Sequence, residues 1–365
     1  MVKPRKILFT EALESVLINI WGGTKDHLDD SLIRKTREAL VEIRGIYRFR
    51  GDFKGKYPSS IQYRLPRNRA GYLAAFGQRH AYPAYIHMKK IAAIKPEAIP
   101  QPDKKGKIVV TVVGAGAAIE TYGVCLFYNE NEQKIHRLQL NLIEKESAWK
   151  PNRHTVFEKL LKGTFPKLDI IPWDIDIDLT KDSISKLAND YDKIRETDIL
   201  LIYNVLNEIH VNRSRIVWKN LDFILRTCAK PLLILVMEPS VPKARPRVDW
   251  LKKQLVQYSD LILDEGEEEI SFESEPFMIK LEGTNLGLND RLFGQSMDGG
   301  KPILQKSVKR THIACLLKPH SPVTMEQVDT QLKKLQMKRG KQGRFIKDKI
   351  NKSFWEIYPS SIDTV

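Results

Sequence analysis

The sequence predicts an α/β protein built on a doubly wound, mostly parallel seven-stranded sheet, with a helical N-terminal domain and a basic C-terminal tail. Apolar runs of strand length alternate with helical stretches after residue 107. The first run, Ile108–Val113, is β-branched and ends at glycines, which is typical of a buried parallel strand. No helix is predicted between the last two runs, so we expect them to form an antiparallel hairpin at one edge of the sheet.

Residues 1–95 are predicted to be mainly helical, because apolar residues recur there at helical spacing. Two of the predicted helices cover Arg67–Arg79 and a stretch that starts at Pro83 and runs to about Ile94, since proline favours the first position of a helix. Residues 96–107 are rich in proline and lysine and predict a linker. The predicted boundaries are therefore 1–95, 96–107, 108–320 for the α/β domain, and 321–365 for the tail.

The α/β domain contains seven predicted strands and five predicted helices. The strands are Ile108–Val113, Leu138–Ile143, Leu168–Ile171, Ile199–Tyr203, Leu232–Met237, Phe277–Leu281 and His312–Leu317. The helices lie near 119–129, 152–162, 182–194, 213–228 and 246–258.

The formal charge of +15 over 365 residues favours a polyanionic partner, nucleic acid first. A solvated basic surface without a partner is the alternative. The three cysteines, Cys125, Cys228 and Cys315, are widely separated, so we expect no metal site and a reducing compartment. We expect no membrane span, signal peptide or transit peptide, and hence a cytoplasmic protein, with a mitochondrial location left open.

Ligands of parallel sheets bind at the carboxyl ends of the strands, so we looked for candidate residues there. The predicted cofactor-binding residues at these ends are Gly114, Ala115, Gly116, Glu144, Trp173, Asp174 and Asn204. The glycines allow a ligand to approach backbone N–H groups. Glu144 is predicted to accept hydrogen bonds from the ribose hydroxyls, with Glu146 as the substitute. Asp174 is predicted to accept a hydrogen bond from an adenine amine, and Asp176 fits this role equally well. Glu238 follows the fifth strand.

Five strand–helix units and a terminal hairpin resemble the class I S-adenosylmethionine-dependent methyltransferase fold. The segment Tyr57–Ile91 and the phrases DILLIYNVLNEI and LLILVMEPS further resemble the methyltransferase-like assembly proteins of the small ribosomal subunit in mitochondria and bacteria. The residues matched in the first segment are Tyr72, Ala74, Ala75, Arg79, Pro83 and Tyr85. This resemblance implies S-adenosylmethionine as cofactor and RNA or a ribosomal subunit as partner.

The chain departs from these families in three ways. It lacks the cysteine set that binds an iron–sulfur cluster in organellar members of the assembly family. Val112 and Val113 precede the first glycine, where methyltransferases usually carry an acid. Ala118 stands in the place of the third glycine, which narrows the space for the carboxylate end of the cofactor.

The leading hypothesis is therefore an S-adenosylmethionine-dependent methyltransferase that acts on RNA, ribosomal RNA first. The alternatives are a weakly active or inactive methyltransferase-like assembly factor and a nicotinamide-dependent oxidoreductase, and a partner protein is left open. Asn204 and Glu208 are the catalytic candidates, and His210 lies in the same loop. Two groups of basic residues are predicted to contact RNA. Arg64, Arg67, Arg69 and Arg79 are interleaved with Tyr63, Tyr72, Tyr82 and Tyr85, and the basic tail supplies Lys338, Arg339 and Arg344.

Overall fold

A computed structural model of the protein describes eight segments of the chain. They are residues 9–23, 28–48, 61–131, 135–181, 183–209, 211–239, 245–271 and 307–317, together with Thr324, Glu326, Gln327 and Thr330.

Helices and strands alternate along most of these segments. The helices are α1 (Phe9–Ile20), α2 (Asp30–Arg48), α3 (Pro66–Ile94), α4 (Glu120–Glu130), α5 (Lys150–Thr155), α6 (Lys162–Thr164), α7 (Ile184–Leu187), α8 (Tyr191–Arg195), α9 (Ser214–Thr227) and α10 (Arg245–Leu255). A π-helical segment, Val156–Leu161, joins α5 to α6. The strands are β1 (Lys107–Val113), β2 (Arg137–Glu144), β3 (Asp169–Asp176), β4 (Ile199–Tyr203), β5 (Leu233–Pro239), β6 (Ser259–Ser271) and β7 (Ser307–Leu317).

These strands form one mixed sheet in the order β3-β2-β1-β4-β5-β7-β6. The first five strands of the chain run parallel to one another, and β7 runs antiparallel between β5 and β6. The predicted α/β class and the antiparallel pair at one edge are therefore confirmed. The order reverses between β1 and β4, where neighbouring connections leave in opposite directions, and this is where open α/β sheets form their ligand crevice.

The sixth strand was predicted in the wrong place. It is formed by Ser259–Ser271, and the predicted stretch, Phe277–Leu281, lies outside the described residues. The acidic run between Asp264 and Glu269 concealed this strand, because charged residues are depleted from buried strands but tolerated on an edge. The third strand is also longer than predicted, since it continues through Asp176.

Both faces of the sheet are covered by helices, so the central strands are apolar on both sides. On one face, Val110, Val112 and Leu140 share a core with residues from α1 to α4, such as Leu17 and Leu73. On the other face, Leu200 and Val236 pack with residues from α7 to α10, such as Leu221 and Leu251. The alternation along β4 and β5 follows the period of two of a strand.

The long helix α3 contradicts the predicted break at Pro83. Pro83 lies inside the helix rather than at the start of a new one. Buried residues continue on both sides of it, among them Leu73, Ala81, Ala84 and Met88. Tertiary packing of this apolar face therefore outweighs the loss of one helical hydrogen bond at proline.

Two glycines set how closely α3 approaches its neighbours. A Cβ atom on Gly71 would lie 2.6 Å from the Ala39 carbonyl carbon in α2, and one on Gly123 in α4 would lie 2.1 Å from the Ala81 carbonyl oxygen. These distances are far below a normal contact, so both crossings require glycine. In the described part of the chain, no helix is both long and apolar enough to span a bilayer.

Candidate functional site

A cleft opens at the carboxyl edge of the sheet, above β2, β1 and β4. Its walls combine strand ends with residues from the N-terminal helices. The lining residues are Tyr63, Tyr72, Gly114, Gly116, Ile143, Glu144, Lys145, Trp149, Ile177, Asp178, Leu179, Thr180, Asn204, Val205, Glu208 and Ile209. Four of the predicted cofactor-binding residues therefore meet in one place, namely Gly114, Gly116, Glu144 and Asn204.

The turn after β1 explains its glycines. Gly114 and Gly116 have φ angles of +64° and +48°, which other residues rarely adopt. A Cβ atom on Gly114 would also lie 2.6 Å from Cγ2 of Val205. The turn is tied to the neighbouring strand, because the N–H groups of Gly114 and Ala115 both donate to the Ile143 carbonyl, at 2.9 and 3.1 Å. Ala115 itself is buried and does not line the cleft.

Glu144 ends β2 with its carboxylate turned toward the glycine turn. One carboxylate oxygen accepts the Gly116 N–H at 2.9 Å and the other accepts the Glu146 N–H at 2.9 Å. Burial raises the pKa of Glu144, and these two backbone hydrogen bonds act against that shift. Glu144 thus places a hydrogen-bond acceptor in the centre of the cleft, next to the two N–H-bearing glycines.

Trp173 and Asp174 do not line the cleft. Asp174 lies opposite Leu142 in the β2–β3 ladder, two residues before β3 ends, and pairs with the buried guanidinium of Arg153. Trp173 is 43% exposed, and its indole N–H donates to Asp190 at 2.7 Å.

The acidic residue that reaches the cleft after β3 is Asp178. The hydroxyl of Thr180, which also lines the cleft, donates to Asp178 at 2.6 Å. Sequence reasoning missed Asp178 because it placed the end of β3 too early, although the run Asp174, Asp176, Asp178 offered it as one of three spaced acids.

The loop after β4 is fixed from below by buried residues of β5 and by α10. The Asn204 N–H donates to the Met237 carbonyl at 2.8 Å, and Asn204 adopts a φ angle of +57°. The fully buried Glu238 accepts the Leu206 N–H at 2.7 Å, while Arg247 donates to the Leu206 carbonyl at 2.9 Å. Glu238 therefore positions the loop and does not reach the cleft.

Glu208 belongs to this loop and meets two tyrosines from the N-terminal part of the chain. The hydroxyls of Tyr47 and Tyr63 both donate to its Oε1 atom, Tyr63 at 3.1 Å, and they lie 2.9 Å from each other. Burial raises the pKa of Glu208 to about 7 and the charge of Glu144 adds to the rise, whereas Lys145 and the two tyrosines oppose it. A carboxylate that titrates near neutrality is suited to accepting a proton.

Three aromatic rings enclose the cleft beside Glu208. The ring of Tyr63 lies 5.6 Å from that of Trp149 and 5.2 Å from that of Tyr72, and the Tyr72 and Trp149 rings are 6.0 Å apart. Trp149 also approaches the glycine turn, since a Cβ atom on Gly116 would lie 3.9 Å from its Cε2 atom. We call Tyr63, Tyr72, Trp149 and Glu208 the aromatic chamber.

A second buried polar cluster lies below the glycine turn. The ring nitrogen Nδ1 of His87, in α3, lies 2.8 Å from the Tyr203 hydroxyl at the end of β4. Burial lowers the pKa of His87 to about 3, so the ring is neutral. Glu120, in the first turn of α4, is 5% exposed, and burial raises its pKa to about 8, with a further rise from the charge of Glu144.

The basic residues predicted to contact RNA fall into three groups. Arg64 and Arg67 are exposed, and Arg67 pairs with Glu42 at 3.2 Å. Arg69 is buried and donates to the Tyr63 and Arg64 carbonyls at 2.8 and 2.9 Å, so it stabilises the chain ahead of α3 instead of facing a ligand. The residues that lie outside the described part of the chain are Lys338, Arg339, Arg344, the side chain of Arg79 and, in the loop after β4, His210.

The interleaved tyrosines and the cysteines are placed inside the protein. Tyr63, Tyr82 and Tyr85 are buried, and of these three only Tyr63 is among the residues that line the cleft. All three cysteines are buried as free thiols. Within the described segments, no group of three or more His, Cys, Asp or Glu side chains is arranged to hold a metal ion.

No family of known proteins matches the sequence, and no curated protein does either. Several solved structures are similar. One, from Listeria monocytogenes, is described as a class I S-adenosylmethionine-dependent methyltransferase; it is 9% identical with a TM-score of 0.38, and the match covers 86% of this chain and 91% of that one.

Two further solved structures are similar to this chain. A 16S rRNA (adenine(1408)-N(1))-methyltransferase from Catenulisporales acidiphilia is 8% identical, with a TM-score of 0.31 and coverage of 61% of this chain and 89% of that one. The glycopeptide N-methyltransferase MtfA, complexed with sinefungin, is 10% identical, with a TM-score of 0.32 and coverage of 64% of this chain and 93% of that one.

Proposed function

We propose that the protein is an S-adenosylmethionine-dependent methyltransferase that acts on RNA. The order of polar groups along the cleft is the observation that carries this proposal. Asp178 follows β3, Glu144 ends β2, the glycine turn follows β1, and Asn204 and Glu208 follow β4. Because these strands are neighbours in that order, the groups form one line along the crevice.

Each group in this line suits one part of S-adenosylmethionine. Asp178 or Thr180 accepts the adenine amine, and Glu144 accepts the ribose hydroxyls, since a carboxylate can accept two hydrogen bonds. The backbone at Gly116 would take the methionine part, because a Cβ atom there would meet no atom closer than 3.9 Å. The loop of Asn204 and Glu208 would then lie on the acceptor side.

The charge of the cleft argues against a dinucleotide. Glu144, Asp178 and Glu208 line it, opposed by Lys145. A pyrophosphate normally sits on the N-terminus of the helix that follows the glycine turn, here α4, so these carboxylates would repel it. A sulfonium cofactor carries positive charge and no phosphate, and the same carboxylates would attract it.

RNA is the proposed acceptor because the formal charge of the chain is +15. Ribosomal RNA is the substrate that the resemblance to ribosomal assembly proteins implies. Methyl transfer requires in-line attack of the acceptor on the sulfonium carbon, so the main task of the protein is to position the two substrates.

Calorimetric titration with S-adenosylmethionine tests the cofactor assignment. We expect binding by the wild-type protein, at least a tenfold loss with Glu144→Ala, and no loss with Glu158→Ala, which removes an exposed acid paired with Lys162. Glu144→Gln preserves the shape of the side chain and serves where the alanine variant does not fold. Absence of binding by the folded wild-type protein would refute the assignment.

The second candidate function is an RNA-binding assembly factor with little or no turnover. One specific observation favours it: both oxygens of Glu144 already accept backbone N–H groups, so a ribose must share or displace them. Binding of RNA without methyl transfer, by protein that also fails to bind the cofactor, would support this candidate.

A further inference from the structure

We propose that the methyl acceptor is the amino nitrogen of an unpaired nucleobase, held in the aromatic chamber with an N–H group donated to Glu208. This inference rests on the proposed function and specifies its substrate. It follows from the hydrogen bonds of Glu208, from the rings around it and from the charge of the cleft.

Glu208 has one carboxylate oxygen in use and one available. Both tyrosine hydroxyls donate to Oε1, and no described residue donates to Oε2. An ionised carboxylate accepts at both oxygens, so Oε2 can accept a further hydrogen bond from a ligand in the cleft. A neutral amino group is a donor that suits this oxygen.

The rest of the chamber suits a flat, apolar ring attached to that donor. Tyr63 and Trp149 are buried, and with Tyr72 they offer aromatic surface directly beside the carboxylate. Unpaired bases are commonly held by stacking on aromatic side chains while their polar edges form hydrogen bonds. Adenine, cytosine and guanine carry an exocyclic amino group on such an edge, and uracil does not.

Other acceptors fit the chamber less well. A ribose hydroxyl would bring its two flanking phosphates close to Glu144 and Glu208, which would repel them. Covalent attack for methylation of a ring carbon needs a cysteine, and the three cysteines of this chain are buried away from the cleft. A basic protein substrate would meet the repulsion of a chain with a net charge of +15.

Glu208 accepts the proton that the methyl transfer releases. The lone pair of the amino nitrogen forms a bond to the methyl carbon, and the carbon–sulfur bond breaks with its electron pair remaining on sulfur. The positive charge passes to nitrogen, which releases one proton to the Glu208 carboxylate. The products are the N-methylated base, S-adenosylhomocysteine and a protonated Glu208, which returns its proton to water.

Isotope labelling identifies the acceptor atom. Total RNA from source cells depleted of the protein is incubated with the wild-type protein and S-adenosylmethionine that carries a CD3 group, and the digested nucleosides are analysed by mass spectrometry. We expect the label on an exocyclic amino nitrogen of adenosine, cytidine or guanosine. Label on a ribose oxygen, on a ring atom or on protein would overturn the inference.

Calorimetry on the same sample separates two kinds of failure. Cofactor binding without any labelled nucleoside overturns the nucleobase inference and leaves the assembly-factor candidate. Absence of cofactor binding overturns the proposed function itself.

The Glu208→Gln variant tests the role of the carboxylate. We expect kcat to fall about 100-fold, because a positioned proton acceptor is lost, while the affinity for S-adenosylmethionine falls far less, because Glu144 and Asp178 remain in the cleft. Wild-type kcat/KM should rise with pH and level off above about pH 7, where Glu208 is ionised, and the variant should lack this rise. Glu158→Gln is the matched control. A variant with wild-type kcat and an unchanged pH profile would contradict the proposal.

Discussion

Glu120 couples the protonation of one buried carboxyl group to the stability of the whole fold. Its pKa is raised by burial to about 8, above the value near 4.5 of an exposed glutamate. The folded chain therefore holds a proton that the unfolded chain releases, and stability falls as the pH rises from about 4.5 to about 8. We expect Glu120→Gln to remove the part of this fall that Glu120 causes, with a gain over the wild type that is ~3.5 kcal/mol larger at pH 8 than at pH 5.

Urea denaturation of the wild type and the variant at both pH values measures this effect. Glu158→Gln, at an exposed i,i+4 pair with Lys162, should show the same small difference at both. If the free energy of unfolding changed with pH by the same amount in Glu120→Gln and in the wild type, Glu120 would be ionised in the folded protein.

Ala118 occupies a backbone conformation that favours glycine. Its φ angle is +55°, and this left-handed conformation costs an L-residue about 1–2 kcal/mol that glycine avoids. Glycine in turn loses about 0.5–1 kcal/mol more conformational entropy on folding than alanine does, which offsets part of the gain. We therefore expect Ala118→Gly to stabilise the protein by about 0.5 kcal/mol in urea denaturation. Ala117→Gly, one residue earlier, should destabilise it by a similar amount. An Ala117→Gly variant more stable than the Ala118→Gly variant would contradict this account.

At the scale of single residues, the sequence predicted the site where strand ends were marked by a change of residue type. The glycine turn and Glu144 follow apolar strands that end abruptly, and both line the cleft. Asp174 does not line the cleft, because β3 continues beyond it. β3 is an edge strand whose solvated face carries polar residues, so no change of composition marks where it ends. The tyrosines that donate to Glu208 lie 161 and 145 residues away in the chain, and no local pattern links them.

The crossing of α3 and α4 is the element-scale feature most sensitive to substitution. A methyl group on Gly123 would overlap the Ala81 carbonyl at 2.1 Å and the Tyr85 amide at 2.7 Å, both of which are backbone atoms that cannot rotate away. We expect Gly123→Ala to destabilise the protein by about 3 kcal/mol, since the two helices must move apart. Thermal unfolding followed by circular dichroism measures this loss.

Gly77 in α3 provides the control for that crossing. A Cβ atom there would meet only the ends of the Ile119 and Leu13 side chains, at 3.3 and 3.4 Å. Gly77→Ala should therefore change stability by less than about 1 kcal/mol, because the gain in helix propensity offsets the tight contact. Equal losses at both glycines would show that the Gly123 crossing can relax.

Elements were predicted well where burial was complete and poorly where it was partial. The strands β1, β2, β4 and β5 are buried along almost their whole length, and their predicted bounds agree with the structure to within one residue or two. The predicted break in α3 was wrong because proline is a local signal for the start of a helix, whereas the packing of the whole helix against α4 cannot be seen in the local sequence. The edge strand β6 carries a run of acids that no hydrophobic pattern could reveal.

At the scale of the whole molecule, the N-terminal helices and one face of the sheet share a continuous core. Leu17 and Leu73 belong to the same buried cluster as Val110 and Leu140. A chain that starts at residue 96 would expose that face, so we expect it to lose cooperative unfolding and cofactor binding together. Differential scanning calorimetry of the truncated chain tests this expectation. A single cooperative transition would instead support the predicted domain boundary at residue 95.

The fold class followed from the sequence because alternation of strands and helices is a pattern of the whole chain. How the helices of residues 9–94 pack did not follow, since an amphipathic helix shows which side it buries but not against what. This packing brings Tyr63 and Tyr72 to the cleft and Tyr47 to Glu208, so the composition of the candidate acceptor site depends on the structure.

The two tyrosines that donate to Glu208 constrain how this chain can change in evolution. Loss of Glu208 alone would leave only the hydrogen bond between the two buried hydroxyls, so that one of them has no acceptor, and loss of both tyrosines would remove both donors to the carboxylate. The loss of Glu208 alone, or of the two tyrosine hydroxyls alone, therefore costs more folding free energy than the loss of all three groups together. Among relatives of this protein, we expect positions 47, 63 and 208 to covary, with phenylalanine at the first two wherever the third is apolar. Lineages with that combination would retain the fold and have lost the proton acceptor.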